Sequence, residues 1–307
     1  MHTAVLSAYE RLRSLVRETP LEYSDAIGAW LKLEHLQATG SFKLRGASNK
    51  VALLAPEQAA AGVVAASNGN HGMGVAAAAA ARGIAAEVFV SSHVSPAKAR
   101  RIERLGARLH CAGDDPLSAE LAARGAASQS GRVFISPYND FEVMAGQGTI
   151  AVELLRQQPR LDAVYAAVGG GGLIGGIGAY LKHASPSTEV VGCWAANSPV
   201  MYECMRAGRI VDVLEQRTLS ESTAGGLEPG SLTLDVCRRV VDRAVLVSES
   251  EIAAAIRLVL ESEHWLIEGA AGVAVAAFLK DPHPNAAIVL CGRNISPEAY
   301  RRALLAP

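Results

Sequence analysis

The sequence predicts an α/β protein built on parallel sheets with crossover helices, and three observations carry that prediction. Short apolar runs alternate with longer stretches of helical period along the whole chain. Polar, glycine-containing turns fall where a run gives way to a helix. No block of strands or of helices stands apart. In order, the strand-like runs cover 30–33, 63–67, 86–91, 107–112, 133–136, 163–168, 189–194 and 286–291. The helical candidates cover 72–82, 96–105, 116–130, 144–156, 175–183, 249–263 and 271–279. No internal repeat, low-complexity tail or linker interrupts them.

Bulk properties allow a globular protein of this fold class and argue against several kinds of partner. With 307 residues, 50% of them hydrophobic and 19% charged, the chain can bury one large core or two linked ones. A formal net charge of −1 and the lack of a long basic run argue against a nucleic-acid or membrane-surface partner. The start, Met1-His2-Thr3-Ala4-Val5, has no basic segment followed by an apolar signal region, and the apolar stretches are too interrupted to span a bilayer. A cytoplasmic location is the expectation. Cys111, Cys193, Cys204, Cys237 and Cys291 are an odd, scattered set without metal spacing, which reads as reduced, with four of them small core residues.

Four motifs carry chemistry. Lys43 lies in Ser41-Phe42-Lys43-Leu44-Arg45-Gly46, just after the first strand-like run. An amine in an apolar site loses its proton more readily and becomes a nucleophile towards aldehydes; most lysines, however, are solvated surface charges. Ala66-Ser67-Asn68-Gly69-Asn70-His71-Gly72 places a polar turn between the run 62–65 and an alanine-rich helix. Gly169-Gly170-Gly171-Gly172-Leu173 follows a strand and opens a helix. With side chains removed, several backbone N–H groups can converge there on a phosphate at the helix's positive end. A nucleotide diphosphate could use such a turn, but the GxGxxG spacing is missing and Lys43 and Asn70 would be left without a role. The fourth motif, Cys291-Gly292-Arg293-Asn294, closes the last strand.

In this order, the four motifs resemble the fold-type II pyridoxal-phosphate enzymes of the serine/threonine dehydratase family, from about Arg13 through Thr19-Pro20-Leu21 to about Ile295. The resemblance implies a tryptophan synthase β-like fold with two three-layer α/β/α domains. A small substrate-binding domain, 47–139, would be inserted into a large cofactor-binding domain made of 1–46 and 140–307. It also implies pyridoxal 5′-phosphate as cofactor, a small amino-acid substrate, and a homodimer or higher homo-oligomer. The chain ends soon after the last turn, so a regulatory extension is not expected.

The resemblance also assigns roles. Lys43 would hold pyridoxal phosphate as a Schiff base and then take the substrate α-proton. Phe42 would lie beside the ring, although a plain core aromatic reads equally well. Asn70 would bond the cofactor's 3′-oxygen, and backbone amides of Ser67, Asn68, Gly69, Asn70 and His71 would receive the substrate carboxylate. Gly169, Gly170, Gly171, Gly172 and Leu173 would cradle the phosphate. Cys291 would face the pyridine nitrogen, where a neutral thiol favours elimination over transamination. Glu268, in Ile267-Glu268-Gly269-Ala270-Ala271-Gly272, would lie near the ring, with glycine where many relatives have proline.

Two departures refine the expectation. Racemases of the family carry a serine acid/base where this chain has Asn68, and an amide cannot move that proton. The stretch Trp194-Ala195-Ala196-Asn197-Ser198-Pro199-Val200 has no carboxylate where some relatives hold a divalent cation, so no metal is expected; Trp194 would be structural or substrate-facing. Cys193-Trp194 with Asn197-Ser198-Pro199, and 223–231, are similar to the hydroxyectoine-utilisation dehydratase branch. The implied reaction is β-elimination of a β-hydroxy-α-amino acid to a 2-oxo acid and ammonia. The rivals are a threonine, serine or phenylserine-type ammonia-lyase, a β-replacement enzyme, a serine racemase-like enzyme, and a catalytically silent cofactor-binding protein.

Overall fold

The computed structural model describes residues 1–306. Helix α1 (His2–Leu12) precedes an antiparallel hairpin, β1 (Leu21–Ser24) and β2 (Ala29–Lys32), whose turn uses Gly28 at φ 82°. Helices α2 (Lys43–Ala52) and α3 (Pro56–Ala61) lead into a first alternation: β3 (Val63–Ala66), α4 (Asn70–Ala80), β4 (Ala86–Val90), α5 (Pro96–Arg104), β5 (Arg108–Cys111), α6 (Pro116–Ser130) and β6 (Val133–Phe134). The long α7 (Phe141–Gln157), capped by Asp140, returns the chain to β7 (Ala163–Ala167), α8 (Gly172–Ala184), β8 (Glu189–Ala195), α9 (Val200–Ala207) and α10 (Leu232–Val240). Then follow β9 (Arg243–Val247), α11 (Glu249–Glu263), α12 (Gly269–Lys280), β10 (Ala286–Val289) and α13 (Pro297–Leu305).

Two sheets result, each the centre of one domain. The smaller has the order β5-β4-β3-β6 and is parallel throughout. The larger has the order β1-β2-β10-β7-β8-β9 and is parallel except for the β1–β2 hairpin. Eight strands coincide with the apolar runs read from the sequence. The hairpin partner β1 (Leu-Glu-Tyr-Ser) and the edge strand β9 do not: β1 lacks a continuous apolar signature, whereas the run Ala244–Val247 of β9 is apolar but short. In the small sheet, β4 and β6 flank β3, and in the large one β10 is inserted between β2 and β7. The carboxyl ends of β3, β7 and β10 therefore deliver the polar turns to neighbouring places, as expected at crevices of parallel sheets.

The lysine helix α2 is clamped from both sides. Leu44, Ala47 and Val51 join the core of the small sheet. Gly46 meets α7 at backbone distance: a Cβ there would stand 2.7 Å from Val143 O, and one on the facing Gly146 would stand 2.7 Å from Arg45 O. Beneath this contact lies a buried ionic cluster. Arg45 donates to both carboxylate oxygens of Glu34 (2.7 and 2.8 Å) and of Glu153 (2.6 and 2.8 Å), and Lys32 donates to Glu153 at 2.6 Å. Thr19 and Thr149 complete it through their hydroxyls. Two cations face two carboxylates, so the buried charge is balanced.

Cys193, Cys204, Cys237 and Cys291 are buried and Cys111 is exposed, all as free thiols. Trp194 is also buried, packed on Gly192 and Tyr202. It is a core residue.

Candidate active site

Lys43 opens α2, and the chain just before it is pinned to the turn after β10. Ser41 pairs with Gly292, and Phe42 N donates to Cys291 O at 3.0 Å. The Lys43 amine donates to Pro137 O at 2.6 Å and lies 5.2 Å from the centre of the Phe42 ring. Burial pushes it down from its ordinary value to about 8, while Cys291 and Glu268 pull it part of the way back. A substantial neutral fraction near pH 7 to 8 makes it a nucleophile and a base. The Cys291 thiol, 2% exposed, is pushed well above the ordinary thiol range by burial and by Glu268, so it is neutral.

Asn70 begins α4 and donates through Nδ2 to Glu268 Oε1 and Oε2 at 2.8 and 3.0 Å. Glu268 precedes α12 and also accepts from Ser222 Oγ at 2.7 Å and Asn294 N at 2.9 Å. His71 Nε2 lies 2.8 Å from Ile135 O, which can only accept, so the proton is on Nε2. Burial and the Lys43 cation push His71 down to about 3, leaving it neutral and unsuited to proton transfer. Asn68 turns towards β4: its Nδ2 donates to Ser91 Oγ at 2.7 Å and its Oδ1 accepts from Ser91 N at 2.9 Å. No side chain caps the start of α4, so its first-turn amides are free of such a partner and suit an anion.

The glycine run leaves β7 and enters α8 with Gly171 at φ 85°. Its neighbours have no room for side chains. A Cβ on Gly170 would lie 2.3 Å from the Tyr138 ring, on Gly169 2.9 Å from Thr223, and on Gly171 2.7 Å from Cys237 Sγ. Tyr138 is held over the run by Glu228 N, which donates to its hydroxyl at 2.9 Å. The α8 start likewise has no side-chain cap. A bare backbone cradle at a helix's positive end, beside a lysine of lowered pKa, fits a phosphorylated aldehyde.

A cavity of about 1090 Å³ gathers much of this. Lys43, Ser67, Asn68, Gly69, Asn70, His71, Gly170 and Glu268 all line it. Phe42, Gly169, Gly171, Gly172, Leu173 and Cys291 do not line it. Sequence reading gave no role to Ser91, Tyr138, Ser222 or Asn294. Only Asn294 carried a signal, as the last polar residue of the turn after β10; the others depend on partners remote in sequence.

Residues 12–292 match the family of pyridoxal-phosphate dependent enzymes, and the chain belongs to that family. Its architecture is the two-domain fold-type II arrangement. The chain is 39% identical over 300 residues to the L-threonine ammonia-lyase of Thermotoga maritima, covering 95% of this chain and 75% of that one. Processed threonine deaminase isoform 2 from Solanum lycopersicum has a similar structure, with a TM-score of 0.92 at 29% identity over 98% of this chain and 91% of that one. Maize serine racemase gives 0.93 at 28% identity, covering 99% and 96%. The chain is a pyridoxal-phosphate dependent lyase similar to the threonine ammonia-lyases.

Proposed function

We propose that the protein deaminates a β-hydroxy-α-amino acid such as L-threonine or L-serine: the β-hydroxyl leaves as water, and the resulting enamine, after tautomerising to the imine, takes water back to release a 2-oxo acid and ammonia. The observation that carries this reading is the contrast around the cavity's inner end. Lys43 is a base poised at about 8, whereas His71 is locked neutral and Asn68 is an amide bonded to Ser91. One base removes the α-proton, and Asn68 offers none to return it from elsewhere.

Bound pyridoxal phosphate would supply an electron sink for the α-carbon. Lys43 would hold it, and the glycine run with the start of α8 would receive its phosphate. The amides of Ser67 to His71 would bind the substrate carboxylate, placing the α-hydrogen towards Lys43. The neutral Cys291 thiol supports elimination over transamination, because it cannot firmly keep a pyridine nitrogen protonated.

A finer reading places the substrate among larger β-hydroxy-α-amino acids of the kind produced by ring opening of hydroxyectoine. It is supported by the resemblance of 193–199 and 223–231 to that branch, and by the lining of the cavity with Thr223 to Pro229. A screen of β-hydroxy amino acids for 2-oxo acid release, with chiral analysis of recovered substrate and a parallel arm containing sulfide, tests both readings. Keto-acid formation without racemisation or thiol incorporation is the expected result. Racemisation matching elimination, or product formed only with sulfide, overturns the lyase assignment; threonine outperforming every larger substrate overturns the finer reading.

A further inference from the structure

A chain of hydrogen bonds runs from the surface of the small domain to the centre of the site, and its direction is fixed from one end. Arg101, on α5, donates through Nη1 to Asn294 Oδ1 at 2.5 Å and through Nη2 to Thr39 O at 3.0 Å. A guanidinium has no acceptor, so the Asn294 oxygen must face it. The Asn294 amide nitrogen then faces the other way, donating to Asn70 Oδ1 at 2.6 Å and Thr39 O at 3.0 Å. With its oxygen thus engaged, Asn70 must turn its Nδ2 to the Glu268 carboxylate. Reversing either amide would set donor against donor at Arg101 or acceptor against acceptor at Glu268.

We propose that Arg101 is a positioning residue for the cofactor: acting through Asn294, it holds Asn70 as a donor and never an acceptor towards a ligand oxygen at the cavity. This rests on the reading that Asn70 meets the 3′-oxygen of pyridoxal phosphate. A donor at that place favours the anionic form of the oxygen. Arg101 belongs to the small domain, whereas Thr39 and Asn294 flank strands of the large sheet. The same bond therefore ties the domains together and sets the polarity of the site.

Holoenzymes of the parent, Arg101→Met, Arg101→Lys, Asn294→Asp and Asn70→Ala are compared. The readouts are the absorption spectrum against pH, cofactor dissociation, and thermal unfolding of the cofactor-free forms. In the spectrum a long-wavelength band marks the ring oxygen as an anion and a shorter-wavelength band marks it as protonated. Asn294→Asp keeps an acceptor for Arg101 but has no amide donor for Asn70. It is expected to shift intensity to the shorter-wavelength band and weaken cofactor binding about tenfold, the equivalent of one lost hydrogen bond. Arg101→Met should shift the spectrum the same way, and Arg101→Lys should restore it in part. If Asn70→Ala alters the spectrum while Arg101→Met and Asn294→Asp only lower the unfolding temperature, Arg101 is merely structural and the proposal is wrong. If Asn70→Ala leaves the spectrum unchanged, the reading of Asn70 on which the proposal stands fails with it.

Discussion

Asn68 and Ser91 are joined twice, side chain to side chain at 2.7 Å and side chain to backbone at 2.9 Å, so the turn after β3 is tied to the end of β4. The tie makes Asn68 a brace of the turn proposed to receive the substrate carboxylate, and an amide so held has no acid or base function. L-Serine incubated with the protein in deuterated water should give labelled L-serine at most, with no D-serine. Asn68→Ser loses both bonds and should cost about 1–2 kcal/mol of stability. Epimerised substrate from the parent protein, at a rate near that of keto-acid formation, sinks the one-base mechanism.

Cys291 offers a second test, at the pyridine nitrogen it is proposed to face. A hydroxyl makes a similar neutral contact, so Cys291→Ser should keep most of the activity. Cys291→Asp sets a new carboxyl in a buried place whose neighbour Glu268 already disfavours negative charge. That variant should lose stability and raise transamination-type side product relative to keto acid. An unchanged product ratio would place Cys291 away from the ring.

Lys43 links the site to stability through pH. Its amine is lowered from an ordinary 10.5 to about 8, so between those values the unfolded chain holds more protons than the folded one. Stability therefore rises with pH across that window, and the burial penalty, present in full below 8, fades towards 10.5. Lys43→Met carries no such penalty. In the cofactor-free state it should exceed the parent by on the order of 3 kcal/mol at pH 7 and by progressively less above pH 8. Urea denaturation of both proteins across pH 6 to 10 measures the gap; a flat gap means that the amine is not shifted. Borohydride reduction of the yellow holoenzyme should fix the cofactor at Lys43.

The sequence exposed what local pattern can carry. The runs at β3, β7 and β10 are continuous and apolar because both sheet faces are covered, and the polar turns after them stand out for the same reason. Lys43, Asn70 and Gly170, named from three separate motifs, line one cavity with Glu268, which the family resemblance added. Helix α2 was hidden because its buried side includes Arg45, Ser48 and Asn49, which break the apolar period. Pairings such as Asn68 with Ser91 or Asn70 with Asn294 were not legible, since they join residues 23 and 224 positions apart through polar side chains common in any loop.

Arg45 gives the last prediction, because it stands two residues beyond Lys43 and anchors the first turn of α2. Removing it leaves Glu34 and Glu153 buried with only Lys32 for compensation; removing Glu153 strands a buried cation instead. Either Arg45→Met or Glu153→Met should cost about 3–5 kcal/mol, the penalty of an uncompensated buried charge rather than the worth of the pair. The double variant removes one charge of each sign and restores balance with Lys32 and Glu34. Its loss should fall well short of the sum of the two single losses. Because Gly46 and Gly146 hold α2 against α7 at backbone distance, the displaced helix would carry Lys43 with it, lowering kcat more than it raises KM. Urea denaturation of the four proteins tests the coupling, and additive losses would mean that Arg45 and Glu153 act independently; steady-state kinetics test the position of the lysine, and an unchanged kcat in both single variants would mean that the buried cluster does not set it.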